Sequence, residues 1–77
     1  MPRSRTPPAD AALVLRELRN SRNLSQEELA RRAGLSMTYI SLIETGKRNP
    51  TISAVSRILA AMDVSWTEFG SRLDRLL

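Results

Sequence analysis

Thr38, Ser41, Leu42 and Thr45 fall on one side of a short amphipathic stretch, opposite Ile40 and Ile43, when successive residues are turned by about 100°. That outward side carries short hydroxyls and no acidic group. A helix selected only for solubility would carry Lys, Glu and Arg there, because they favour helix and are well solvated. Short hydroxyls instead suit a face that lies close against donors, acceptors and methyl groups, the combination offered by the floor of a DNA major groove. The alternative is a solvated helix that happens to be rich in Ser and Thr. The stretch runs on into Lys47-Arg48-Asn49-Pro50, a loop of turn formers whose two cations would stand over flanking phosphates, with Arg48 also within reach of a base edge.

Two closely spaced helix signals must position these residues. Ser25 is followed three residues on by Glu28, the spacing of a reciprocal capping box, so a helix should begin there. Leu29, Ala30 and Ala33 recur behind that cap at helical spacing, and Gly34 offers the left-handed conformation that closes a helix. Only Leu35 separates Gly34 from Ser36, a second cap, so the next helix, about Met37 to Thr45, must leave at a steep angle and end at Gly46.

These residues carry a resemblance. Leu24-Ser25-Gln26-Glu27-Glu28-Leu29-Ala30, Ala33-Gly34-Leu35-Ser36, Tyr39-Ile40-Ser41, Ile43-Glu44, Gly46 and Arg48-Asn49-Pro50-Thr51 are similar to the helix-turn-helix family of phage repressors and Cro proteins, over roughly residues 11 to 70. Thr38-Tyr39-Ile40-Ser41 followed by Arg48-Asn49-Pro50-Thr51 also resembles the controller proteins of restriction–modification systems. The resemblance implies an all-α, compact five-helix repressor-like DNA-binding domain with the helix-turn-helix unit at 25–45. It implies that Gln26 and Ser36 hold phosphates, that Met37, Thr38, Tyr39, Ser41 and Leu42 approach the bases, and that Lys47, Arg48 and Asn49 flank them. It further implies an ion pair between Arg19 and Glu44 that ties the first helix to the recognition helix; two exposed ions are the alternative. Family members often carry Gln, Arg or Asn at the positions of Met37 and Leu42, so direct readout here leans on apolar contact and DNA deformability contributes to specificity.

The remaining sequence sets bounds. Seventy-seven residues make one domain with one modest core. With no cysteine or histidine and no recognisable acidic pair on one face, an enzyme, a metal site or a cofactor is not expected. No apolar run approaches the ~20 residues that cross a bilayer, and Met1 to Pro8 has no apolar segment to act as a signal, so a cytoplasmic, nucleoid-associated protein is expected. Twelve basic against eight acidic residues give a net charge of +4. Residues 1–50 hold nine basic and five acidic groups and residues 51–77 three of each, so the excess lies where a polyanion would dock.

Residues 1–8 read as a mobile arm, in which Arg3 and Arg5 either follow DNA or belong to a disordered leader, and 9–77 as the domain. A first helix is predicted from about Ala9 to Asn23, capped by Asp10 and burying Ala11, Val14, Leu15 and Leu18. Thr51 caps a fourth, with Ile52, Val55, Leu59 and Met62 facing the core and Ile58 alongside. Ser65 with Glu68 forms a second capping box that opens a fifth helix, 65–77. Its face of Trp66, Phe69, Gly70, Leu73, Leu76 and Leu77 exceeds what so small a domain can cover. Trp66 and Phe69 are expected to complete the core, and the leucines to form an exposed strip for a homodimer that sets two recognition helices about 34 Å apart; the alternative is that they fold back on the first helix. The leading function is a sequence-specific, autoregulatory transcriptional regulator on a palindromic operator, with RNA polymerase as a further candidate partner near Glu27 or Arg31. The alternative is an antitoxin that binds a protein toxin as well as its own operator.

Overall fold

The computed structural model describes residues 7–76, so the arm at residues 1–6 and Leu77 lie outside the described residues. Five helices follow one another: α1 Pro7–Ser21, α2 Gln26–Ala33, α3 Met37–Glu44, α4 Ile52–Ala61 and α5 Trp66–Leu76. α2 packs against α3 and α4, while α1 packs against α3 and α5. The shared core contains Val14, Leu15, Leu18, Leu29, Ile40, Ile43, Ile58, Leu59 and Phe69. Among the described residues no helix is long and apolar enough to cross a membrane.

α1 starts two residues earlier than the sequence predicts. Proline is tolerated in the first turn, where its missing N–H would have had no helical partner. Asp10 is accordingly inside that turn and fully buried, not a cap standing ahead of it. The helix also stops earlier, at Ser21, because Asn23 takes the left-handed conformation (φ 56°) and Leu24 N–H donates back to the Arg19 carbonyl at 3.2 Å. Arg22 then reaches across to the end of α4, where its Nε donates to the Met62 carbonyl at 2.7 Å.

The two capping boxes form only by half. Ser25 and Ser65 accept from the backbone N–H groups of Glu28 and Glu68, each at 3.0 Å. The carboxylates turn elsewhere: Glu28 to Arg31 (3.6 Å) and Arg32 (3.3 Å), Glu68 to Arg72 (3.6 Å) and Arg22 (3.9 Å). An arginine one turn along the same helix offers a charge-assisted partner that the Ser amide does not.

Between α2 and α3, Gly34 is left-handed (φ 70°) and Leu35 N–H donates to the Ala30 carbonyl at 2.9 Å, which closes α2. Leu35 packs against the core, and Ser36 caps α3 by accepting from Tyr39 N–H at 3.0 Å. The turn is thus pinned from both sides. Thr51 caps α4 in the same way, accepting from Ala54 N–H at 2.9 Å.

The expected faces of α4 and α5 need correcting. Val55, Ile58, Leu59 and Met62 are buried, but Ile52 is 77% exposed, since the first residue of α4 lies beyond the reach of the core. On α5, Phe69 is buried while Trp66 is 48% exposed, its ring meeting Phe69 edge to face at 6.1 Å between centroids. Leu73 and Leu76 are half-buried against the core and do not form an exposed strip, because α5 lies along α1.

Candidate nucleic-acid interface

α3 is eight residues and about 12 Å long, a length that fits across a major groove. Ile40 and Ile43, each 1% exposed, fix one side of it in the core. On the other side Met37, Thr38 and Thr45 are exposed, and Ser41 and Leu42 are half-buried. Thr45 donates its hydroxyl hydrogen to the carbonyls of Ser41 (2.9 Å) and Leu42 (3.3 Å), which satisfies the end of the helix.

The basic loop is fastened to that same helix end. Lys47 N–H and Arg48 N–H both donate to the Leu42 carbonyl, at 3.0 and 3.2 Å, and Gly46 is left-handed (φ 75°) with open space where a Cβ would stand. Lys47 and Arg48 are therefore held beside the outward face of α3, and both are exposed. The Arg48 guanidinium lies over the Tyr39 ring, 6.0 Å from its centroid. Ser36, Thr38, Tyr39, Leu42 and Arg48 line a shallow depression of about 510 Å³. Tyr39 is half-buried and packs on the core, so it serves as the floor of that depression and as a platform for Arg48.

A polar network fixes how α3 sits on α1 and α2. Arg19 donates from Nε to Glu44 Oε2 at 2.7 Å, from Nη2 to Glu44 Oε1 at 3.0 Å, and from Nη1 to the Leu24 carbonyl at 2.7 Å. Glu44 is 5% exposed, and burying its charge is tolerable because two guanidinium N–H groups meet it. Gln26 donates from Nε2 to the same Glu44 Oε1 at 3.0 Å. The sequence pointed to Gln26 as a phosphate ligand alone; in the structure one of its amide hydrogens is engaged inward and the other is left for an outward partner. The signal for this contact was the buried carboxylate of Glu44, which needs more than one donor. The Ser36 hydroxyl oxygen accepts from Tyr39 N–H, and its own hydrogen can still be donated.

The structure thus gathers Ser36, Thr38, Tyr39, Leu42 and Arg48 around one depression, with Met37 and Ser41 on the same helix and Lys47 in the adjoining loop, while Gln26 stands at the start of α2. Asn49, expected beside them, instead lines the cleft of Ile52, Trp66 and Leu73, because Pro50 and α4 carry the chain away from α3. The residues expected at a dimer surface are divided: Trp66 is exposed, Phe69 is core, and Leu73 and Leu76 lie between. Sequence reasoning missed Ile52, which shares with Trp66, Phe69 and Leu73 an apolar cleft of about 290 Å³. Among the described residues no cluster of His, Cys, Asp or Glu could hold a metal ion.

Residues 15–69 match the helix-turn-helix family. The HTH-type transcriptional regulator y4dJ of Sinorhizobium fredii, itself uncharacterised, is 39% identical over 57 residues, 74% of each chain. The control protein C.MunI of a Mycoplasma species is 36% identical over 62 residues, covering 79% of this chain and 84% of that one. Among solved structures, the restriction-modification controller protein C.Esp1396I, as a tetramer in complex with its natural 35 base-pair operator, superposes with a TM-score of 0.89 at 30% identity, over 95% of this chain and 96% of that one.

Proposed function

The chain belongs to the helix-turn-helix family of transcriptional regulators and is not an enzyme, and from that premise we propose that it binds a short two-fold operator as a homodimer and controls its own operon, in the manner of a restriction–modification controller. The observation that carries this reading is the outward face of α3, neutral and free of acidic groups, with Lys47 and Arg48 both anchored through their backbone N–H groups to the Leu42 carbonyl near its C-terminal end. α3 enters the major groove, and Thr38 and Met37 in its first turn approach base edges. Gln26 and Ser36 donate to phosphates at the starts of α2 and α3, and Lys47 to a phosphate past the other end of α3.

The dimer surface is the cleft around Ile52 and Trp66, not the leucine strip. Two exposed large apolar side chains beside half-buried Leu73 make a continuous patch suited to a second copy. The operator-bound relative, a controller protein, is a tetramer on its DNA. The antitoxin alternative has no support from these relatives. This reading puts the protein in the nucleoid, with the exposed Glu27 and Arg31 on α2 facing any polymerase bound alongside.

Hydroxyl-radical footprinting on DNA from upstream of the protein's own gene tests this. Two protected segments about 34 Å apart, one helical turn, are expected. A single unpaired footprint would overturn the dimer, and uniform protection would overturn operator binding.

A further inference from the structure

The outward face of α3 is short of the groups that discriminate bases by paired hydrogen bonds. Met37, Thr38, Ser41, Leu42 and Thr45 include no amide, guanidinium or carboxylate. Bidentate recognition of guanine needs Arg or Lys and of adenine Asn or Gln, so the helix itself can make neither. Thr45 spends its hydroxyl hydrogen on its own helix, and Ser41 is half-buried. The apolar feature that a base edge presents in the major groove is the thymine C5-methyl group.

Met37 is placed to meet it. It opens α3 with 51% of its surface exposed, outside both the core and the half-buried residues packed on it, and Ser36 already supplies the cap. An unbranched thioether adjusts its three torsions to a small apolar target better than a branched side chain does.

We propose that Met37 reads a thymine C5-methyl group at one position of each half-site. This rests on the operator-binding reading above and adds the chemical group recognised. Specificity at that position is then a matter of one methyl contact, graded and not all-or-none.

Selection from random duplexes with the wild-type protein supplies the operator. Each thymine in one half-site of the recovered consensus is then replaced by deoxyuridine, which removes the methyl group and leaves the pairing intact. Binding is measured by fluorescence anisotropy for wild type and Met37→Ala. Alanine favours helix and the site is exposed, so the variant should unfold at the wild-type temperature. One position is expected at which deoxyuridine weakens wild type about fourfold, the scale of one buried methyl, while Met37→Ala binds thymine and deoxyuridine alike. If a consensus emerges but the two proteins respond equally to deoxyuridine at every position, methyl reading is overturned and operator binding stands. If no consensus emerges, the operator reading fails and the proposal with it.

Discussion

Replacing Arg19 with Met would show how much of the domain depends on the buried pair that joins α1 to α3. In the native fold Glu44 receives two guanidinium hydrogen bonds, at 2.7 and 3.0 Å, and one from Gln26 at 3.0 Å, with the two side chains 12% and 3% exposed. Arg19→Met leaves the carboxylate buried with the Gln26 amide as its remaining partner. Stranding one member of such a pair costs about 3–5 kcal/mol, and the lower end applies because the shorter side chain admits water. A chain of this length has roughly 4–11 kcal/mol of stability in all, so the loss would be a large share. Glu44→Leu should cost less, since Arg19 keeps its bond to the Leu24 carbonyl at 2.7 Å and can turn its tip toward solvent. The double variant should recover to within about 1–2 kcal/mol of wild type, because an apolar pair needs no desolvated charge. Urea unfolding at one fixed protein concentration, followed by Trp66 fluorescence and circular dichroism, gives the three values. Additive single costs, or a loss of about 1 kcal/mol or less for Arg19→Met, would refute a coupled buried pair.

The other consequences are separable. Thr38→Ala should weaken operator binding more than random-sequence binding, whereas Lys47→Ala should weaken both alike and lower the log–log salt slope by about 1, as competition titrations would read. Ser36→Ala removes the α3 cap and should cost about 1 kcal/mol, a fall of roughly 4–8 °C in melting temperature by calorimetry. Ile52→Glu places an acid in the first turn of α4, which favours that helix, so the monomer should stay folded while dimer dissociation rises about tenfold in sedimentation; an unchanged dimer would exclude the Ile52–Trp66 cleft as the interface.

Local rules carried the sequence reading through the helix-turn-helix unit, and they failed where long-range packing decides. Ser25, Gly34, Ser36 and Thr51 each act on backbone atoms within a few residues, so their roles are visible without a fold. Periodicity put Ile52 and Trp66 on core-facing stripes, yet both are exposed. It could not say that the core ends one turn short of Ile52, or that α5 packs along α1 and leaves Leu73 and Leu76 half-buried against the core. The Glu28 and Glu68 side chains show the same limit, since the capping spacing was present but arginines on the same helix competed for the carboxylates. Gln26 is the instructive site residue. Its position was legible, but its inward bond to Glu44 depends on three helices meeting, which no spacing along the chain encodes.

The most direct test of the account is an anisotropy titration of labelled DNA from upstream of the protein's gene against an unlabelled random duplex, at two salt concentrations. Stepwise binding that survives the competitor at both salts is expected, with affinity falling as salt rises because Lys47 and its neighbours displace counterions. Equal binding to both duplexes, abolished at the higher salt, would mean that the basic half of the chain supplies attraction without recognition, and would contradict the assignment of α3 as a reading helix.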